Sequence, residues 1–486
     1  MALLRNIQRA AARISLAVAT AAIAACSSTG GPLGLSPAQE QAIGVQEHPK
    51  IVAAFGGDLQ DPDVTAYVER VTRRLIAAGD QPDAPIKITV LDSPVVNAMA
   101  LPGHVYVTRG LLALANSEAE LAGVMGHELG HVYQRHTAKR VSRGNLASIG
   151  AAAVGILTGQ QDTAQLAGQA AQLYVLRYGR QQEYEADQIG VRLLARAGYD
   201  PIAEAYFLNT LGRWTDLEAR IAGVQSRPPE FLSSHPNSAE RVRRAAEEAQ
   251  VLTEAGGARG ETGRKPYLGV IDGLVFGDDP ARQGYIQGQR FTHPGLGLTF
   301  SVPNGFQMRN TSSAVIATSQ STGAQMQFAF ANGEGSPSDI ISGPLAQSLK
   351  IQFSSVRQGA VNGKSAAVGF GALSTQQGRV DIAAYVIKWD GATNYMFLWA
   401  TPPNQTRNLA RAIQSSVETF AEVDAARLNV PPTRRVEVVP VRRGATVSGV
   451  ANGMAFPSHK QDRFRVLNGL GAQDGLRASD DVKIIR

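Results

Sequence analysis

The segment His127-Glu128-Leu129-Gly130-His131 constrains this chain more than any other five residues in it. Two histidines four apart project from one face of an α-helix, so both imidazoles can reach the same point. Ser117-Glu118-Ala119-Glu120 has the form of a capping box and predicts that this helix opens there and runs to about Arg140. Such a pair predicts one zinc ion per chain, held by neutral imidazoles with a position left open for water. Glu128, between the two ligands, is placed to take a proton from the attacking water and pass it to the leaving amine. A solvated helix face explains one histidine readily, but not this trio.

A third ligand has to come from another element. The pattern predicts a helix over residues 173–197 that stops at Gly198, with Pro201 just beyond. Within it Glu183 and Asp187 are four apart and share a face with Ala186 and Gly190, small residues that allow close approach to the first helix. Glu183 is the expected third ligand. Asp187, one turn on, is expected to accept a hydrogen bond from the outer nitrogen of a ligand histidine. Glu185 points away from that face and reads as solvated.

These residues, with Asn97-Ala98-Met99-Ala100-Leu101-Pro102-Gly103 and the later His235-Pro236, resemble metallopeptidase family forty-eight, with its HtpX, CAAX prenyl protease and BepA-like branches. The likeness covers roughly residues 36–249. It implies a mainly helical gluzincin fold, zinc on His127, His131 and Glu183, and Glu128 as general base. Without a predicted spanning helix, the chain sits better with the soluble BepA-like branch, though it lacks that branch's helical repeats. Asn97, Ala98, Met99 and Ala100 read as an exposed edge strand able to hold an extended substrate by its backbone. His235 lies on a loop ahead of a helix bearing Arg241. It is expected either to plug the open metal position or, with Arg241, to stabilise an oxyanion.

The N-terminus reads as a targeting segment. Arg5, Arg9 and Arg13 precede an apolar run, Ile14 to Ala25, too short to span a bilayer. Ile23-Ala24-Ala25-Cys26 resembles a lipobox, which implies cleavage of residues 1–25 and a lipid on Cys26, the single cysteine of the chain. Ser27 after it favours the outer membrane. The formal charge of +6 includes those three arginines, and no dense basic stripe appears elsewhere, so a nucleic-acid partner is not expected.

After a mainly helical region, residues 26–255, glycines at 256, 257, 260 and 263 predict a linker over 256–289. Residues 290–425 alternate in strand fashion with two helical stretches, an α+β domain that bears a weak likeness to PsbP-type domains. Residues 436–486 are similar to a LysM domain in Val441 to Ala451, Phe464 to Leu470 and the closing Val482-Lys483-Ile484-Ile485. That likeness implies a small βααβ fold with peptidoglycan as partner. Ala445 stands where an Asp is usual, and an insert runs through residues 456–463. From Val430 onward ten Lys/Arg face five Asp/Glu, which suits an acidic wall polymer.

The expected protein is therefore a multidomain, lipid-tethered metalloendopeptidase of the bacterial envelope, facing the periplasm and acting on unfolded or misassembled proteins. Two alternatives are a wall-anchored scaffold with a degenerate peptidase fold and a hydrolase of peptidoglycan cross-links.

Overall fold

The computed structural model describes residues 35–141, 178–222, 235, 239–256, 259–375 and 378–486. The expected signal segment, Cys26 and the apolar stretch Leu146 to Leu157 lie outside the described residues. Among those described, no helix is long and apolar enough to cross a membrane.

Helix α1 (Pro37–Ala54) leads into α2 (Pro62–Ala78), which starts where the Asp61 carboxylate accepts from Val64 N at 3.2 Å. Val64, Tyr67, Val68, Val71 and Leu75 bury the stripe that their helical spacing predicts. A three-stranded sheet follows in the order β1 (Lys87–Leu91), β3 (His104–Thr108), β2 (Ala98–Leu101). The β2–β3 hairpin turns through Gly103, whose φ of 73° favours glycine.

After α3 (Arg109–Leu114), the central helix α4 (Glu118–Tyr133) is buried without a break from Ala119 to His131. Only half of the expected capping box forms. Ser117 Oγ accepts from Glu120 N at 3.1 Å, but the Glu120 carboxylate reaches past Ser117 to Asn116 N at 2.8 Å. Nor does the helix run through to Arg140. Arg135 adopts a left-handed φ of 51°, and a separate helix, α5 (His136–Val141), begins after it.

Helices α6 (Arg180–Arg196) and α7 (Ala203–Ala222) pack against α4, and α8 (Ala239–Gly256) packs on those two. The small residues on α6 act as expected. A Cβ on Gly126 would stand 3.1 Å from Gly190 Cα, and one on Gly130 would stand 3.0 Å from Ala186 Cα.

The expected linker at 256–289 is not a simple tether. It carries α9 (Arg264–Ile271), whose Tyr267, Leu268 and Ile271 are buried and whose Tyr267 hydroxyl donates to Leu112 O at 2.6 Å. Beyond it lie β4 (Tyr285–Gln287), β5 (Arg290–His293), β6 (Leu298–Ser301), β7 (Gln307–Asn310), β8 (Ala314–Thr318) and β9 (Gln325–Phe330). Next come β10 (Ser355–Val361), β11 (Lys364–Thr375), β12 (Gly378–Lys388), β13 (Asn394–Thr401), α10 (Pro403–Glu418) and β14 (Ala421–Glu422). They form an antiparallel seven-stranded sheet, β10-β11-β12-β13-β9-β8-β7, and a smaller one, β14-β6-β5-β4. Their apolar clusters centre on Phe300, Phe397 and Trp399 and on Ile341 and Val386, separate from the core around α4.

The final segment has the order β15 (Val436–Pro440), α11 (Val447–Ala451), α12 (Lys460–Leu467), β16 (Asp481–Ile485), with β15 and β16 antiparallel. This module is not a free appendage. Val436, Phe464, Val482 and Ile485 belong to the same apolar cluster as Val64, Leu112 and Leu129. Lys483 is fully buried and spends its three protons on the carbonyls of Ala113, Leu114 and Ala115 at 2.9, 3.0 and 2.6 Å, capping α3. A sequence segmented by composition hides this union, because the contacts that make it are long-range.

Candidate metal centre

Three helices and one loop residue deliver the site. His127, Glu128 and His131 come from α4, Glu183 and Asp187 from α6, Arg241 from α8, and His235 from just ahead of α8. All seven are buried. His127 Nε2 and His131 Nε2 stand 3.0 Å apart. Glu183 presents Oε2 at 3.7 Å from the first and Oε1 at 3.7 Å from the second. Four ligand atoms bonded to one zinc at about 2.1 Å sit on a tetrahedron with edges of roughly 3.4 Å. The observed separations bracket that edge. Lone pairs at such distances repel unless a cation lies among them, and both Glu128 oxygens are buried without a hydrogen-bond partner. The donor set therefore fits a metal.

His235 completes the group. Its Nδ1 lies 3.1 Å from His127 Nε2 and 3.2 Å from Glu183 Oε1, and its Nε2 is 3.5 Å from Glu128 Oε1. Ligand atoms of His127, His131, Glu183 and His235 all fall within 4.8 Å of one another.

Asp187 Oδ1 lies 2.9 Å from His127 Nδ1. Arg241 clamps that carboxylate from the far side, Nε to Oδ2 at 2.8 Å and Nη2 to Oδ1 at 2.6 Å, while its Nη1 lies 2.7 Å from Glu183 Oε2. Arg241 thus braces two acids on α6, which the expected oxyanion role did not anticipate.

The electrostatics suit ligation and base catalysis. Burial, reinforced by His127 and His235, holds His131 well below its ordinary value, in the neutral form that binds metals. Burial alone would raise Glu183, but His235 and Arg241 outweigh it and keep the carboxylate ionised. Burial raises the Glu128 carboxyl, with His235 and His127 opposing, which makes it a stronger proton acceptor than a surface glutamate.

Asn97, Ala98, Met99 and Ala100 depart from expectation. Ala98–Leu101 is an edge strand packed on α4, but Asn97 and Ala98 are 0% exposed, and Met99 and Ala100 are 6% and 7% exposed. The edge is shielded, because β2 lies deep between its sheet and the metal helix. No strand pairs with its free side among the described residues, and both polar atoms of the Asn97 amide lack partners. Cys26 lies outside the described residues.

Four residues near the metal site were not assigned from the sequence. Tyr178 stacks on His131 with ring centroids 3.7 Å apart. Glu204, on α7, is buried beside Asp187 and Arg241, and burial plus Asp187 push its carboxyl far up. His136 lies against His131, and Glu185, expected to be solvated, bonds to His136. Only His136 left a trace in the sequence, five residues after His131.

Comparison with known proteins agrees with this geometry. Residues 62–249 match Peptidase family M48. The β-barrel assembly-enhancing protease of Escherichia coli strain K12 is 29% identical over 204 residues, covering 40% of each chain. The mitochondrial metalloendopeptidase OMA1 of Schizosaccharomyces pombe is 33% identical over 229 residues, 45% of this chain and 64% of that one. This chain thus spans less than two thirds of either relative. Cyanobacterial PsbP from Synechocystis aligns with 28% of this chain and 91% of its own at 11% identity, with a TM-score of 0.24. Residues 62–249 accordingly match Peptidase family M48, and within them His127, His131, Glu183 and His235 form a group able to hold a metal ion.

Proposed function

We propose that the protein is a zinc metalloendopeptidase of the bacterial cell envelope, tethered by a lipid on Cys26, that hydrolyses peptide bonds of unfolded or misassembled proteins. The observation that carries this is the convergence of His127, His131 and Glu183 beside a buried Glu128 carboxylate that makes no hydrogen bond. His127, His131 and Glu183 would hold zinc, which when bound acidifies water and polarises the scissile carbonyl. Glu128 receives the water proton on a carboxylate oxygen and delivers it to the departing amine. Asp187, locked by Arg241, keeps the His127 proton on Nδ1 and so leaves Nε2 free for the metal. The backbone of Ala98 to Ala100, with the spare Asn97 amide, offers an extended peptide a strand to pair with once it gains access.

His235 occupies the corner of the group that water or substrate would need, so we assign it as a plug that must swing away before turnover. The βααβ order and basic surface of residues 436–486 support a LysM-like glycan-binding role, with peptidoglycan as the partner.

Glu128→Gln tests the mechanism. The variant should bind one zinc per chain as the wild type does while casein cleavage falls by about 100- to 10,000-fold. Cleavage at the wild-type rate would remove Glu128 as the base.

A further inference from the structure

The two histidine ligands are backed differently. His127 leans on a buried carboxylate, Asp187, whereas the outer nitrogen of His131 faces another imidazole. His131 Nδ1 and His136 Nδ1 are 2.8 Å apart, and His136 Nε2 lies 3.1 Å from Glu185 Oε2. His136 is 0% exposed, while the Glu185 side chain is 38% exposed.

Proton counting gives one assignment for this row. His131 points Nε2 at the ligand group, where it meets His127 Nε2. Its proton must then sit on Nδ1, which donates to His136 Nδ1. His136 must carry its own proton on Nε2, which donates to Glu185 Oε2. Reversing either imidazole would set two lone pairs or two protons against each other.

The backbone shows what maintains this contact. Had α4 continued past Tyr133, the residue five after His131 would have rotated away from it. Arg135 instead adopts a left-handed φ of 51°, costly for a residue with a Cβ, and the chain doubles back so that His136 lies under His131. Arg135 is pinned there by Glu40 and by Leu35 O, the latter at 2.9 Å from Nη2. Tyr178 closes the opposite side of the His131 ring by stacking.

We infer that His136 and Glu185 are positioning residues for the metal: through a relay of two hydrogen bonds they fix the tautomer and orientation of His131. This rests on the metallopeptidase reading above. Asp187 does the same for His127 in one step. The His131 arm needs an intermediary because Glu185, on the far side of α6 from Glu183 and Asp187, reaches only the edge of α5.

Zinc affinity of the purified full-length chain, measured against a competing chelator, tests this, with cobalt-substituted protein read by its visible absorption. His136→Leu removes the acceptor and should weaken zinc binding by about 10- to 100-fold and shift the cobalt bands. His136→Asn puts an amide oxygen near the position of Nδ1 and should restore affinity to within about threefold of wild type. Glu185→Ala should weaken binding less than His136→Leu, and Glu185→Gln, which keeps an acceptor, less still. Circular dichroism of each metal-free variant reports folding. Should His136→Leu fail to fold, His136→Asn and Glu185→Ala decide. Glu185→Ala with wild-type affinity and cobalt spectrum overturns the relay, as does a folded His136→Leu that binds zinc normally. A wild-type chain that binds no zinc would instead refute the metallopeptidase reading, so the two failures are distinct.

Discussion

Replacing Gly130 with alanine asks how closely the two metal-bearing helices must pack. A Cβ at this position would stand 3.0 Å from both Cα and O of Ala186 and 3.3 Å from Ile189 Cβ. Ordinary carbon contacts are about 3.5–4.0 Å, so α4 and α6 must part by roughly 0.5 Å or more here. Overpacking of this kind costs about 1–3 kcal/mol, and the better helix propensity of alanine returns about 1 kcal/mol. The metal-free protein should therefore lose about 0–2 kcal/mol. The effect on the metal is larger in proportion. Gly130 adjoins His131, Ala186 lies one turn from Glu183, and metal–ligand distances tolerate only about 0.2 Å of error. Zinc affinity should fall by about tenfold or more. Urea unfolding of the metal-free chain and chelator competition measure the two effects separately. Gly269→Ala on α9 is the control, since a Cβ there meets nothing within 4 Å. It should gain about 0.5–1 kcal/mol and leave zinc binding unchanged. If Gly130→Ala matches this control in both measurements, close helix approach does not set the ligand geometry.

Three other outcomes are expected. Lys483→Met removes the ammonium donor from the buried carbonyls of Ala113, Leu114 and Ala115, of which only Leu114 O keeps another donor, Asn116 Nδ2, and should lower stability by about 2–3 kcal/mol, seen as an earlier urea midpoint; an unchanged midpoint would show that the module only rests on the peptidase core. His235→Ala should raise basal casein cleavage; a sharp fall in rate would assign the residue to the oxyanion instead, and a wild-type rate with unchanged zinc affinity would exclude both roles. Cys26→Ser should abolish lipid labelling and release the protein from membranes, and retention there in high salt would rule out that anchor.

The candidate metal site was legible where its logic is local. His127, His131, Glu183 and Asp187 follow from spacing on helices, and Ala186 and Gly190 announced the close packing that brings the two helices together. What sequence could not supply depends on where helices end. His136 read as a structural residue, because a helix α4 running to Arg140 would carry it away from His131, whereas the left-handed Arg135 turns it back. Glu185 was set aside because its face of α6 points away from the metal, which is true, yet α5 brings His136 to it. Glu204 has no motif around it at all. The glycines at 256–263 suggested a tether, while Tyr267, Leu268 and Ile271, spaced for one helix face, held the contrary signal. The edge strand was found but its shielding was not, since burial of Ala98 depends on packing across the whole domain.

The placement of Lys483 has a consequence for biosynthesis. Its ammonium caps carbonyls of residues lying 368 to 370 positions earlier in the chain. A ribosome delivers those positions at about 5–20 residues per second, so tens of seconds separate the two halves of one contact. The apolar cluster beneath the metal helix cannot close until β16 arrives, and contacts of such long range form slowly. A nascent chain thus carries the His127–His131 motif long before it carries a finished peptidase. The core on which the His127–His131 helix packs is therefore completed by one of the last strands to be made.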